Sequence, residues 1–199
     1  YGGNFRPPQP LAGRTVKGCS NAWYPYRPED WAVSAHGAHA VCAAGHMQSP
    51  VDLPLCTAKD TSLPAISISW GSHAVVLENN GHTIVAKVNG TGGKMTVGGA
   101  DYTLLQCHWH WGSEHTVGGE QFPLSVHCVH TKGDRYGVLG VLYTIGTADA
   151  FIASIEDHLP HDTARRLATT VTSSFTGPVD FDEIYVGLSL SKYWQYSGS

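Results

Sequence analysis

Charge is scarce in this sequence: Lys, Arg, Asp and Glu together make up 14% of its 199 residues, against 42% hydrophobic residues. That balance excludes a disordered chain, and the length suits one domain with a real core. Basic residues are in deficit, 12 Lys+Arg against 16 Asp+Glu for a net charge of -4, so there is no positive field to hold a nucleic-acid backbone. No stretch approaches the roughly 18 consecutive apolar residues of a membrane span. Residues 1–20 lack the basic start and apolar middle of a signal peptide, so the chain is either soluble as written or has lost a targeting segment. The five cysteines contain no Cys-x-x-Cys pair, which removes zinc ribbons and thioredoxin-like motifs. Their odd number leaves at least one thiol free or paired outside the chain.

Histidine and tryptophan, by contrast, are plentiful, with 12 and 6 residues. Imidazole is the commonest metal ligand and the side chain that titrates nearest neutral pH, so the composition points to metal or proton chemistry. Asn89-Gly-Thr91 forms a glycosylation sequon in a glycine-rich turn, which has meaning in a secretory compartment.

Alternation of apolar and polar residues over 65–70, 74–78 and 83–88, each bounded by Gly, Asn or Pro, predicts strands. Further strands are expected over 104–111, 124–130 and 136–145, which are rich in β-branched and aromatic residues. Helical spacing is confined to 148–158, with Phe151, Ile152 and Ile155 and then Leu159 on one face, and to 163–173, opened by Asp162 as a cap. The fold class is therefore mainly β with short helices (α+β), without internal repeats.

On a strand, Leu105-Gln-Cys-His-Trp-His-Trp111 turns Gln106, His108 and His110 to one face and Cys107, Trp109 and Trp111 to the other. An antiparallel return through Phe122-Pro-Leu-Ser-Val-His-Cys-Val-His130 would bring His127 beside the first pair. Three neutral imidazoles can hold zinc at about 2.0–2.1 Å and leave the fourth tetrahedral position to water. The ion would lower that water's pKa from about 15.7 to about 7. Spacing alone leaves structural histidines as an equal alternative. Cys107 and Cys128 are expected to face the core, opposite the metal, as small apolar residues.

His108-Trp-His110-Trp-Gly112, continued by Ser-Glu114-His-Thr-Val117 and then Val126-His-Cys-Val-His130, resembles the zinc-site signature of the α-class carbonic anhydrases. Met47-Gln-Ser-Pro-Val-Asp52, Glu78-Asn-Asn-Gly-His82, Val138-Leu-Gly-Val141 and Tyr193-Trp-Gln-Tyr-Ser-Gly-Ser199 fall in the same family's order across residues 42–199. The resemblance implies a central, twisted, largely antiparallel ten-stranded sheet. It also implies a zinc lyase, a carbonate dehydratase that converts carbon dioxide reversibly to bicarbonate and a proton through a zinc-bound hydroxide. Carried over residue by residue, His108, His110 and His127 are the zinc ligands. Glu114 is the buried acid that, through a threonine, orients the hydroxide, and His82 is the proton shuttle. Val129 and Val138 form the apolar wall that receives carbon dioxide. Gln106 orients one ligand imidazole, and Asn80 belongs to the cleft's ordered water chain.

The sequence departs from the family at three places. Ser125 stands where the family usually has a glutamate holding the third ligand, and a neutral hydroxyl is the weaker acceptor, so faster zinc loss is expected. The family's Leu-Thr-Thr-Pro-Pro segment, which carries the hydroxide-orienting threonine, does not follow Ser199. Residues 4–14 resemble the family's carboxyl-terminal strand, and Cys42 matches a cysteine that secreted members bridge to a partner beyond that missing segment. The expected organisation is thus residues 1–18 as the end of a preceding copy or the chain's own tail, and residues 19–199 as a carbonic anhydrase body that is incomplete at its C-terminus. A slice of a tandem array, a processed subunit and an incomplete stretch of a longer polypeptide all fit, the first and last better than circular permutation. A complementing segment, chain or repeat is the partner this implies, besides carbon dioxide and bicarbonate, and the expected location is secreted, periplasmic or an organelle lumen. The alternative function is a carbonic-anhydrase-like scaffold or assembly subunit that binds zinc but is inactive without its complement.

Overall fold

Alternating apolar and polar residues make strands the main regular element among the described residues. The computed structural model describes residues 47, 49–55, 60–160, 171–173, 175 and 177–198. The tail-like residues 1–18, Cys19, Cys42, Cys56 and residues 161–170 lie outside the described residues, and so does most of the helix expected over 163–173.

Twelve strands are described: β1 (Asp52–Leu53), β2 (Ile66–Ser69), β3 (Ser72–Asn79), β4 (Ile84–Val88), β5 (Lys94–Val97), β6 (Ala100–Trp111), β7 (Thr116–Val117), β8 (Glu120–Gln121), β9 (Leu124–Lys132), β10 (Arg135–Tyr143), β11 (Val171–Thr172) and β12 (Pro178–Asp180). Nine of them join one sheet among the described residues, against the ten expected, in the order β10-β9-β6-β4-β3-β11, with β12 also on β3 and β5 linking β2 to β6. Every pairing in this sheet is antiparallel. β1, β7 and β8 form a small separate sheet. The end of the expected second helix is in fact β11, where Val171 and Thr172 pair with Asn79 and Glu78. Two β-branched residues beside an open strand edge gain more from ladder hydrogen bonds than from an isolated last helical turn.

β5 and β6 are joined by Gly98-Gly99, both at positive φ (57° and 75°), a tight hairpin turn open to glycine at both central positions. α1 (Ala150–Ile155) starts at Asp149, whose Oδ1 accepts the Ile152 N–H at 2.9 Å, and a short 3-10 turn, Glu156–His158, continues it. Phe151 and Ile155 on α1 are buried against one face of the sheet, with Phe151 stacked on Trp109 (ring centroids 5.4 Å apart) and tilted against Phe181 (5.2 Å). Trp70, Leu77, Ala86, Leu104, Val126 and Ile184 complete this core. With one face so filled, the opposite face of β4, β6, β9 and β10 remains for a cleft. No helix among the described residues is long and apolar enough to cross a membrane.

Candidate metal centre

Strand register decides which side chains meet on the cleft face. β6 and β9 pair His108 with His127 and His110 with Ser125, and β10 sets Gly140 opposite His127. Directly opposed residues share a face, so the three histidines converge. Their ring centroids lie 4.9 Å (His108–His110), 5.4 Å (His108–His127) and 4.9 Å (His110–His127) apart, and one nitrogen from each lies within 4.8 Å of the others. His108 Nδ1 donates to Gln106 Oε1 at 2.9 Å, which leaves Nε2 for the cleft. Gly140 lies against the His127 ring: a Cβ there would stand 3.5 Å from His127 Cδ2, in ordinary van der Waals contact.

Burial holds these rings neutral. It pushes the His110 pKa down to about 4, helped by His108 and His115, and that of His127 to about 3, helped by His110, His108 and His115. His108 is lowered by burial as well. Three neutral nitrogens on two hydrogen-bonded strands are a donor set that fits zinc.

Glu114 is partly exposed, not buried as the resemblance implied, and its Oε2 lies beside the triad, 3.4 Å from His110 Nε2 and 3.6 Å from His127 Nδ1. Val129 and Val138 are cross-strand partners in the next row of the same face, alongside Gln106 and Lys87. Val138 is 57% exposed.

Other expected residues are placed elsewhere. Asn80 Oδ1 accepts the backbone N–H groups of His82 and Thr83, both at 2.9 Å, so it is engaged in the β3–β4 turn. His82 is exposed and lines an apolar pocket of about 260 Å³ with Ile84, Trp109 and Trp111. Those tryptophans alternate with the ligands along β6, so the pocket opens on the other face of the sheet from the triad. Ser125 is fully buried, and neither its Oγ nor His127 Nε2 has a hydrogen-bond partner among the described residues.

Sequence reasoning missed three features. His115 Nε2 and Tyr196 OH are 2.6 Å apart, Tyr196 OH and Ser49 Oγ are 2.8 Å apart, and the His115 ring stands edge-on to His127 at 5.4 Å. These residues lie in three blocks far apart in sequence, and only their membership of family-like blocks could have flagged them. Gly140 is likewise invisible without register. Cys107 and Cys128 do face the core, yet they are not separate thiols: they form a disulfide.

The family model described as eukaryotic-type carbonic anhydrase matches residues 26–199. Alpha carbonic anhydrase 6 of Arabidopsis thaliana is 40% identical over 119 residues, 58% of this chain and 45% of that protein. Alpha carbonic anhydrase 7 of the same plant is 36% identical over 161 residues, 80% of this chain and 56% of that protein. The chain therefore spans about half the length of these curated relatives. Among solved structures, the α-carbonic anhydrase of Thermovibrio ammonificans in complex with the inhibitor sulfanilamide superposes with a TM-score of 0.68 at 30% identity, over 78% of this chain and 66% of that one. The chain belongs to the eukaryotic-type carbonic anhydrase family.

Proposed function

We propose that this chain carries the active centre of a zinc-dependent carbonate dehydratase, which interconverts carbon dioxide with bicarbonate and a proton. The observation that supports it most is the convergence of three neutral imidazoles from facing strands beside the Val129–Val138 pair. When bound, zinc supplies the Lewis acidity that makes water a nucleophile near neutral pH. His108, His110 and His127 would hold the ion and, being uncharged, leave its charge intact. Gln106 keeps His108 in the tautomer that presents Nε2. Val129 and Val138 give apolar carbon dioxide a surface with no competing hydrogen bonds. Glu114 accepts a hydrogen bond from a hydroxyl donor and so orients the attacking oxygen. His82 exports the proton after its ring turns from the tryptophan pocket toward the cleft, and Asn80 shapes the turn that carries it.

A second reading keeps the zinc and makes the chain a carbonic-anhydrase-like scaffold or assembly subunit. It is favoured by the exposure of Val138 and by β10, which has no strand beyond it among the described residues. The proposed location is secreted, periplasmic or an organelle lumen, where the Cys107–Cys128 disulfide persists and where Asn89, exposed in the β4–β5 turn, would accept a glycan.

Zinc stoichiometry and carbon dioxide hydration rates, measured on the parent, His127→Ala and His82→Ala, test the assignment. His127→Ala should lose metal and activity together, and a metal-free parent or a fully active His127→Ala protein would overturn it. His82→Ala should slow turnover in weak buffer, with rescue by imidazole buffer; an unchanged rate removes the shuttle.

A further inference from the structure

The Cys107–Cys128 disulfide sits at one point in the fold. The two residues are register partners across β6 and β9, and the next register pair along is His108 with His127. Side chains alternate on a strand, so the cross-link lies on the core face directly behind two of the three ligands. Both cysteines are fully buried, in the core that also holds Trp109 and Val126. The strand pair is thereby tied covalently on one face at the level where a metal would tie it on the other.

The geometry of the triad has one loose coordinate. His108 and His110 share β6, and the pleat sets their spacing. His127 rides on β9, so its distance from that pair depends on the β6–β9 seam alone. On its far side β9 is held by β10, which has no further strand among the described residues, so the β9–β10 hairpin is restrained chiefly through β6. We infer that the Cys107–Cys128 disulfide is a positioning pair for the metal site, clamping the seam so that His127 stays in register with His108 and His110 before the ion arrives. The inference rests on the zinc reading above. A preorganised set of donors binds without first ordering two strands and releases its ion more slowly.

The test compares the parent with two double variants of different core volume, Cys107→Val/Cys128→Val and Cys107→Ala/Cys128→Ala, and with Val179→Ala. Val179 is buried in the same core but on β12, which pairs with β3 and is separated from the β6–β9 seam by β3 and β4, so its variant loses stability without touching the seam. Zinc transfer to a chromophoric chelator gives the release rate, and the visible spectrum of the cobalt-substituted protein reports ligand geometry. The expected result is release about tenfold faster or more in the cysteine double variants, in the range seen when groups supporting metal ligands are removed, with an altered cobalt spectrum. Val179→Ala should keep the parental rate and spectrum even where its melting temperature falls as far. Parental release and spectrum in the double variants, or equal changes in Val179→Ala, would overturn the positioning role and leave the zinc reading standing. A parent that takes up no zinc would sink both.

Discussion

Acid should weaken this fold through His130, a histidine the proposed chemistry does not use. The residue is fully buried on β9, with its ring 5.4 Å from Trp70 and its Nδ1 donating to the Gly137 carbonyl at 3.1 Å. Burial pushes its pKa from 6.5 down to about 4, although the backbone hydrogen bonds of Gly137 and Cys128 work against the shift. The sign follows from proton counting. Above about pH 6.5 the ring is neutral in both states, and its contribution is fully present. As pH falls from about 6.5 to about 4, the unfolded chain takes up a proton that the folded chain refuses, so stability drops by about 1.4 kcal/mol per pH unit. The total is about 3 kcal/mol, and the loss levels off below about pH 4. Urea unfolding of the metal-free protein at half-unit intervals from pH 7.5 to 4, in parent and His130→Gln, isolates the effect from the triad histidines, which titrate in both proteins. The variant will be less stable at neutral pH, but its stability should fall with a slope shallower by about one proton. Parallel pH slopes for the two proteins would refute the reasoning.

Two further outcomes probe the core and the metal site. Phe151→Ala removes the ring stacked on Trp109 and packed on Phe181, and should cost about 3–5 kcal/mol in denaturant unfolding; a loss under about 1 kcal/mol would mean that α1 does not anchor the core. Ser125→Glu places a carboxylate where the Ser125 Oγ and His127 Nε2 now find no partner, so chelator-driven zinc loss should slow by about tenfold or more; unchanged loss would show that the serine leaves the ligand adequately held.

The order of these residues along the chain determined a good deal by itself. Alternation in 65–70, 74–78 and 83–88, and the β-branched and aromatic residues of 104–111 and 124–130, mark strands whichever way they pair, because side chains on a pleat alternate with a period of two. The same alternation sends His108 and His110 to one face and Cys107 and Trp109 to the other. α1 is legible because the spacing of Phe151, Ile152 and Ile155 is a local signal. β5 and the first half of β6 are not: Lys94–Val97 is only four residues long, and its place as a strand is fixed by pairing across Gly98-Gly99. Val171–Thr172 likewise becomes strand through the free edge of β3, which no window of sequence contains.

Tertiary structure alone decided the rest, since register is a relation between strands. It puts His127 opposite His108, joins Cys107 to Cys128, brings Ser49, His115 and Tyr196 together and sets Gly140 against the His127 ring. It also turns His82 over the tryptophan pocket and ties Asn80 into its own turn, because a turn's side chains follow the hydrogen bonds that close it. The ligand residue types and their faces were written in the order of residues along each strand. Their meeting at one point, and the covalent clamp behind it, depended on how two strands far apart in sequence came into register.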